Sequence, residues 1–358
     1  MRFFPIALAL TVVAAACSGG GDSATSDSIS TSGVDLTGAG ATFPQPIYGK
    51  WFNDYAVAHG VRINYQSIGS GGGIKQLQEG IVDFGASDSP MTDAEIATAK
   101  HGAILHFPTV LGAVVITYNL PNVTTPLRLS GQEIADIFNG TIKKWNDARL
   151  AALNPSVKLP ADDIIVVHRS DGSGTTYIFT DYLNAASTTW ATTAGGPGRG
   201  KEVSWKVGLG GKGNEGVAGQ VKQTPGSIGY VELAYAKQNG LPAAHVKNKA
   251  GEFVEPTIAS ITAAAEGVMA TLGADADYRV SIVNGPGAGA YPISSLTWLL
   301  IYQTPPDAAK GKKIVDFMRW MYSTGQQSAA SLDYAPLPAA MTQRLTDRLA
   351  TITLTATR

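Results

Sequence analysis

One local pattern recurs from residue 34 onward: a short apolar strand, a glycine-rich turn and then a helix. Val61, Ile63 and Tyr65 alternate with polar residues ahead of the turn SIGSGGG, and residues 74–79 then follow a helical pattern. Farther along, DDIIVVH predicts a buried strand, SDGSGT a turn, and TYIFTDYLNAA a helix with one apolar face. Such alternation is typical of α/β proteins, so the sequence predicts an α/β fold.

Two helix starts carry a capping signal. Thr92 with Glu95, and Ser130 with Glu133, have the spacing of capping boxes, in which two side chains satisfy backbone N–H groups at the start of a helix. Gly140 is placed to end the second of these helices. The sequence therefore predicts two surface helices at these positions.

The length of 358 residues exceeds the usual span of one domain and favours two. Two long apolar segments, near residues 104–120 and 291–302, lack helical end signals, and we expect them to be strands that cross between the domains. From Lys310 the pattern predicts helices with one face toward the core.

The N-terminus has the features of a bacterial export signal. Arg2 precedes an apolar stretch that ends in small residues and is shorter than the about 20 residues needed to span a bilayer. Cys17, the only cysteine of the chain, follows directly and predicts a lipoprotein site with the lipid on Cys17. Ordinary signal peptidase cleavage, which would leave a free thiol, stays open. We expect residues 1–16 to be the signal peptide and residues 17–33 to be a polar, flexible tether.

The charge balance bears on the partners of the protein. The chain has 27 Lys and Arg against 28 Asp and Glu, a formal net charge of -1, and no run of basic residues. Binding to a nucleic acid needs a basic surface, so we expect no nucleic-acid partner. Any anion site must be local.

Three glycine-rich turns precede predicted helices: TGAGATFP, GSGGG and HRSDGSGTT. The N-terminus of a helix offers unpaired backbone N–H groups and a partial positive charge, which together attract anions. A single turn of this kind is weak evidence, because most glycines simply permit a tight reversal of the chain. Three such turns with hydroxyl residues predict an anion site. The candidate donors are Thr42, Phe43, Ser70, Ser173, Gly174 and Thr175.

Three charged residues accompany these turns. Arg169 can grip two oxygens of a tetrahedral oxyanion with its planar guanidinium group. Asp171 either holds that guanidinium in place or forms an ordinary surface ion pair of little energetic value. Asp88, at the end of a predicted strand, either faces the ligand or caps the next turn. The local sequence leaves both choices open.

Longer segments resemble one known family. TGAGATFPQPIYGKW, NYQSIGSGGGIKQL, VDFGASDSPMT, HRSDGSGTTYIFTDYL, GLGGKGNEGV and GSIGYVELAYAKQ are similar to the substrate-binding protein of the phosphate-specific ABC transporter, in order from about Leu36 to Pro338. The resemblance implies a type II periplasmic binding protein. In that fold two α/β lobes are joined by two crossing strands, with a ligand cleft between them. We expect lobe I to comprise residues 34–110 and 290–358, and lobe II residues 111–289.

The resemblance also implies a function and a site. The chain would bind inorganic phosphate outside the cytoplasm, as a monomer anchored to a membrane by lipid, and deliver it to membrane permease subunits. No enzyme activity, cofactor or metal is expected. His168, Ser170 and Gly71 depart from the pattern of some relatives, and none of these changes removes a donor. The implied phosphate ligands are Thr42, Phe43, Ser70, Asp88, Arg169, Ser173, Gly174 and Thr175, with Asp171 supporting Arg169.

Parts of the sequence also fit three other functions. Gly208, Gly210 and Gly213 satisfy the dinucleotide pattern G-x-G-x-x-G after VSWKV, which predicts a strand, and Glu232 follows about 20 residues later. The glycines and the proline that follow argue against a long crossover helix. A hydrolase using Ser70 or Ser173 lacks the G-x-S-x-G elbow and any zinc-type histidine spacing. Another tetrahedral oxyanion, such as sulfate, would keep the binding role and change the ligand.

Overall fold

The computed structural model describes residues 35–192, 195–269 and 277–354. The predicted signal peptide, Cys17 and the tether lie outside these residues. Within the three ranges, no helix is long and apolar enough to cross a membrane.

Strands and helices alternate along the chain, as the sequence predicts. The strands are β1 Leu36–Gly40, β2 Ile63–Ser67, β3 Phe84–Ser87, β4 Ile104–Tyr118, β5 Arg128–Leu129, β6 Ile165–Arg169, β7 Leu209–Gly211, β8 Ser227–Glu232, β9 His245–Lys247, β10 Phe253–Val254 and β11 Ser294–Tyr302. The helices are α1 Gln45–His59, α2 Ser70–Gln78, α3 Asp93–Ala97, α4 Gly131–Phe138, α5 Ala148–Leu153, α6 Gly174–Ala186, α7 Gly213–Gln223, α8 Leu233–Gln238, α9 Ile258–Met269, α10 Ala308–Ser323 and α11 Ala339–Arg348.

An eight-stranded mixed sheet, in the order β2-β1-β3-β11-β4-β8-β6-β7, organises the fold. In its first half, β1 pairs parallel to β2 and β3, and β11 pairs antiparallel to β3. In its second half, β6 pairs parallel to β7 and β8. Strand β4 belongs to both halves, because its beginning pairs with β11 and its end pairs with β8. The α/β prediction is confirmed.

The two long apolar segments are strands β4 and β11, as expected. Every residue of β11 is buried, and so is every residue of β4 except Leu105. They run antiparallel to one another through the centre of the sheet. Helices pack on the sheet, and the buried core includes the indole rings of Trp51, Trp145, Trp190 and Trp298. Helix α10 buries the apolar face that its sequence predicts.

Helix α2 begins at Ser70, four residues before the predicted start at position 74. The glycines predicted as a turn form its first turn instead. A Cβ atom at Gly73 would lie 2.3 Å from the Cα of Gly40, so the absence of a side chain lets the helix start against the end of β1. The glycine run therefore serves close packing between a helix and a strand.

The capping predictions have different outcomes. The box of Thr92 and Glu95 is formed at the start of α3, with both reciprocal hydrogen bonds present. At α4 the box is absent, because the hydroxyl of Ser130 donates to the Glu133 carboxylate and the Ser130 side chain does not cap the backbone. Gly140 has φ +75°, the left-handed conformation suited to the residue after a helix.

Two expectations around the dinucleotide pattern are wrong. Segment VSWKV is not a strand, since the strand is β7, Leu209–Gly211. The glycine-containing segment, expected to be a poor long crossover helix, forms the 11-residue helix α7, Gly213–Gln223, because Val217, Ala218 and Val221 bury one apolar face against the sheet. Tertiary packing outweighs the low helix propensity of glycine here.

Candidate functional site

Four helices begin where strands of the two sheet halves end. Helices α1 and α2 follow β1 and β2 of the first half, and helices α6 and α7 follow β6 and β7 of the second. The first backbone N–H groups of each helix have no partner within the helix and carry the positive end of its dipole. The convergence of these N-termini between the halves creates a setting suited to an anion.

The first half contributes buried hydroxyl and carboxyl groups. Thr42, Phe43, Ser70 and Asp88 are each at most 2% exposed. The backbone N–H of Asp88 donates to Ser70 Oγ at 3.2 Å. Asp88 Oδ1 accepts a 2.7 Å hydrogen bond from Thr297 Oγ1 on β11. The Asp88 side chain therefore faces the site and does not cap the following turn.

Burial controls the ionisation of Asp88. Loss of solvent raises the pKa of Asp88 to about 7, although the Thr297 hydrogen bond and the positive charge of Arg169 act in the opposite direction. This carboxyl group can consequently lose or keep its proton near neutral pH. Its ionisation state becomes part of the chemistry of the site.

The second half contributes Arg169, which is 3% exposed. Its Nε and Nη2 atoms donate to the two oxygens of Asp171 at 2.8 and 2.5 Å. Its Nη1 atom is buried and has no hydrogen-bond partner among the described residues. Asp171 thus fixes the guanidinium plane and leaves one edge of it for another group.

Asp171 is itself held in place. Its Oδ1 accepts the backbone N–H of Gly213, at the start of α7, at 3.0 Å. Burial alone would raise the pKa of Asp171, but the hydrogen bonds and charge of Arg169 bring it below the ordinary value. The carboxylate stays ionised, so Arg169 and Asp171 add no net charge to the site.

The start of α6 brings the two halves into contact. Ser173 Oγ caps the helix by accepting the Thr176 N–H at 3.0 Å. A Cβ atom at Gly174 would lie 2.4 Å from Ser70 Oγ and 2.5 Å from Asp88 Oδ2, so a side chain does not fit. All eight predicted ligand positions therefore lie on segments that meet here, with Asp171 behind Arg169.

Two buried residues at this place were missed by the sequence reasoning. Thr297 holds Asp88 from β11, and Asn214, in the first turn of α7, donates to both Thr42 and Thr175. The signal for Asn214 was present, because it follows a glycine at a strand-to-helix turn like those of the three recognised segments. The strand–helix boundary predicted there was wrong, which hid that likeness.

Additional contacts join the halves at the rim of the site. Lys201 pairs with Glu95 at 2.5 Å, and Arg279 pairs with Asp93 at 2.6 Å. The backbone N–H of Gly71 donates to the carbonyl of Gly172 at 2.8 Å. A cavity of about 540 Å³ lies just outside, lined by residues that include Ser89, Thr92, Tyr177 and Arg199. The described conformation is one in which the halves touch around the site.

His106 and His168 have contacts unlike those of a catalytic base. His106 Nε2 accepts the Met91 N–H at 2.9 Å, and His168 stacks on Trp205 with ring centroids 4.7 Å apart. In the described part of the chain no histidine hydrogen-bonds to a serine. The geometry supports the binding of an anion by hydroxyls, backbone dipoles and one guanidinium group.

Comparison with known proteins gives consistent matches. A family model described as a PBP superfamily domain matches residues 22–324. The phosphate-binding protein PstS of Pasteurella multocida is 46% identical over 88% of this chain and 90% of its own length. PstS of Haemophilus influenzae is 47% identical over 85% of this chain and 89% of its own length. The solved structure of PfluDING, a high-affinity periplasmic phosphate-binding protein, superposes with a TM-score of 0.70 at 23% identity, covering 88% of this chain and 93% of that one.

Proposed function

We propose that this chain, which belongs to the PstS family of phosphate-binding proteins, captures inorganic phosphate outside the cytoplasm and delivers it to the permease of an ABC transporter. The relatives are named for phosphate binding, and the match covers most of this chain and most of their own length. The role is that of a binding protein without catalytic activity.

One observation supports the ligand most directly: the site combines a buried arginine edge with a buried carboxyl group. Arg169 Nη1 has no partner in the described structure, and Asp88 lies across the site with a pKa raised to about 7. A cation alone would suit any oxyanion. An additional hydrogen-bond acceptor suits an oxyanion that carries a proton, and phosphate does so near neutral pH whereas sulfate does not.

This geometry supports the ligand groups that the resemblance implies. Arg169 donates from its free edge, and the Asp88 carboxylate accepts a hydrogen bond from a protonated oxygen of the anion. Hydroxyl and backbone N–H groups donate to the remaining oxygens, at about 1.5–3 kcal/mol for each charge-assisted bond before ordering costs are subtracted. Asp171 orients Arg169 from behind. The phosphate ligands proposed are Thr42, Phe43, Ser70, Asp88, Arg169, Ser173, Gly174 and Thr175.

We further propose that the two sheet halves act as lobes that close on the anion. Lobe I would comprise residues 34–110 and 290–358, and lobe II residues 111–289. Ligand groups come from both, and the contacts at the rim support a closed state that phosphate stabilises by binding both sides at once. X-ray scattering should then show a smaller radius of gyration with phosphate. An unchanged scattering profile at saturation would contradict closure.

The location of the protein rests on its N-terminal sequence. We propose that export leaves Cys17 at the mature terminus with a lipid on its sulfur, which tethers a monomeric binding protein to the membrane beside its permease. The apolar stretch before Cys17 and the polar tether after it support this. Intact-mass measurement of the protein purified from its native membrane tests the lipid, and an unmodified Cys17 would contradict the anchor.

Isothermal titration of the purified soluble chain with phosphate and with sulfate tests the function. We expect a dissociation constant for phosphate of about 1 μM or lower, corresponding to about -8 kcal/mol, and much weaker sulfate binding above pH 8. Equal binding of the two anions at that pH would contradict the proposed substrate. Turnover of a phosphomonoester would contradict the absence of catalysis.

A further inference from the structure

Asn214 lies in the first turn of α7, is fully buried, and connects both halves of the site. Its Nδ2 donates to Thr42 Oγ1 at 2.8 Å and to Thr175 Oγ1 at 3.1 Å. Thr42 follows β1 in the first half, and Thr175 opens α6 in the second. A single amide group therefore touches two of the proposed phosphate ligands from opposite sides of the cleft.

The orientation of this amide is fixed by a third contact. Asn214 Oδ1 accepts the backbone N–H of Glu232 at 2.9 Å. A flipped amide would bring its NH₂ group against that N–H donor, so the oxygen must face Glu232 and the nitrogen must face the threonines. Both amide protons are then used, one for each threonine.

The hydrogen bonds that the two threonine hydroxyls accept restrict the directions of their protons. Thr42 Oγ1 accepts from Asn214 Nδ2 and also from the Asn214 backbone N–H at 3.1 Å. These two bonds occupy both acceptor positions of the hydroxyl, so its proton has to point elsewhere. Thr175 Oγ1 accepts one hydrogen bond from Asn214, which keeps its proton from pointing at the amide and leaves one acceptor position.

We propose that Asn214 is a positioning residue that turns the hydroxyls of Thr42 and Thr175 into donors aimed at the bound anion. This inference rests on the proposed function. Without Asn214 each hydroxyl could rotate and offer a lone pair to the anion, which would repel it. The amide thus prepares two donors before the anion arrives, and the cost of ordering them is met on folding.

A structural role alone would give different behaviour. If Asn214 only fills space between the halves, its loss would lower stability and affinity whether or not the threonines have hydroxyls. If it acts through the hydroxyls, its effect on affinity must disappear once they are gone. A double-mutant cycle separates the two cases.

The first experiment compares phosphate binding by wild-type protein, Asn214→Ala and Asn154→Ala by calorimetry. We expect Asn214→Ala to weaken phosphate binding by about tenfold or more, the equivalent of one well-made hydrogen bond. Asn154 is a matched control, because it is buried and its side chain also makes three hydrogen bonds, to Arg128 N, Arg128 O and Leu150 O, away from the site. Asn154→Ala should lower the melting temperature and leave the affinity unchanged.

The second experiment repeats Asn214→Ala in a Thr42→Val and Thr175→Val background. We expect the substitution to change the affinity by less than about twofold there, because no hydroxyl remains to be oriented. An equal loss in both backgrounds would overturn the proposal, and so would wild-type affinity in Asn214→Ala alone. Should Asn214→Ala fail to fold, the same cycle is run with the isosteric Asn214→Asp. Its added negative charge is present in both backgrounds, so the effect of the charge cancels when the two affinity changes are compared.

The outcomes also separate this inference from the proposed function. Wild-type protein that binds no phosphate contradicts the function itself. Wild-type protein that binds phosphate, together with an Asn214→Ala variant of equal affinity, overturns the positioning role and leaves the function standing.

Discussion

The two sheet halves supply opposite kinds of recognition to one site. Among the described residues, the buried groups that the first half places at the site are hydroxyls and the acidic Asp88, without a cation. The second half supplies Arg169, whose charge is balanced by Asp171 at 2.5 Å. In the proposed site, separate surfaces would therefore recognise the charge and the protonation of the ligand. We therefore expect affinity to depend on both halves and discrimination between anions to depend mainly on the first.

Removal of the second half's cation should have the largest effect. Arg169→Ala deletes the buried guanidinium edge and also leaves Asp171 as an unpaired carboxylate near the anion. We expect phosphate and sulfate binding to weaken alike, by at least about 100-fold, because the guanidinium contacts either anion. Titration calorimetry with each anion measures this.

Arg149→Ala is a suitable control for that experiment. Arg149 also pairs with aspartates, Asp136 and Asp147, but its side chain is 42% exposed and remote from the site. Both affinities should be unchanged in this variant. A loss of phosphate binding alone in Arg169→Ala, with sulfate binding intact, would contradict the division between the halves.

Substitution of the first half's carboxyl group should change discrimination instead. Sites built around a ligand hydroxyl reject analogues that lack it by roughly 10⁴–10⁵-fold. Here the pKa of about 7 restricts discrimination against sulfate to a smaller factor, because the small neutral fraction of Asp88 can donate a hydrogen bond to sulfate. At pH 8.5 that fraction is about 1 in 30, so we expect Asp88→Asn to reduce the phosphate preference by roughly 30-fold while phosphate affinity changes less than about tenfold. Competition titrations with sulfate measure the ratio, and a preference that survives the substitution would contradict the role of Asp88.

The same carboxyl group predicts a pH dependence with a definite sign. Below its pKa Asp88 is neutral and can donate to sulfate, and above it the carboxylate repels sulfate. Sulfate affinity should therefore rise about tenfold as the pH falls from 8 to 6, following the neutral fraction of one group with a pKa near 7. Asp88→Asn should give a flat profile over this range. A flat profile in the wild-type protein would show that Asp88 does not titrate there.

The local sequence patterns predicted the strands and helices of the two halves better than the contacts between them. Strand alternation and glycine-rich turns located β2, β6 and the starts of α1 and α6, because these depend on neighbouring residues. The start of α2 and the strand β7 were misplaced, since packing against β1 and β6 decides them. The contact of Thr297 with Asp88 joins segments far apart in the chain, so no local pattern could reveal it. Asn214 did have a local signal, the glycine before it, but the misplaced strand concealed that signal. Burial likewise decides the pKa of Asp88.

The smallest expected effect comes from the ion pairs that join the halves at the rim. Glu95→Gln breaks the pair with Lys201 but keeps the α3 cap, since glutamine also suits a capping box. If this pair favours the closed state, phosphate affinity should fall by up to about fivefold at low salt, the range for partly exposed pairs, and the difference should vanish at high salt. Asp54→Asn, which breaks an exposed pair with Lys50 within α1, should have no effect at either salt concentration. A salt-independent loss in Glu95→Gln would mean that α3 acts through packing and not through charge.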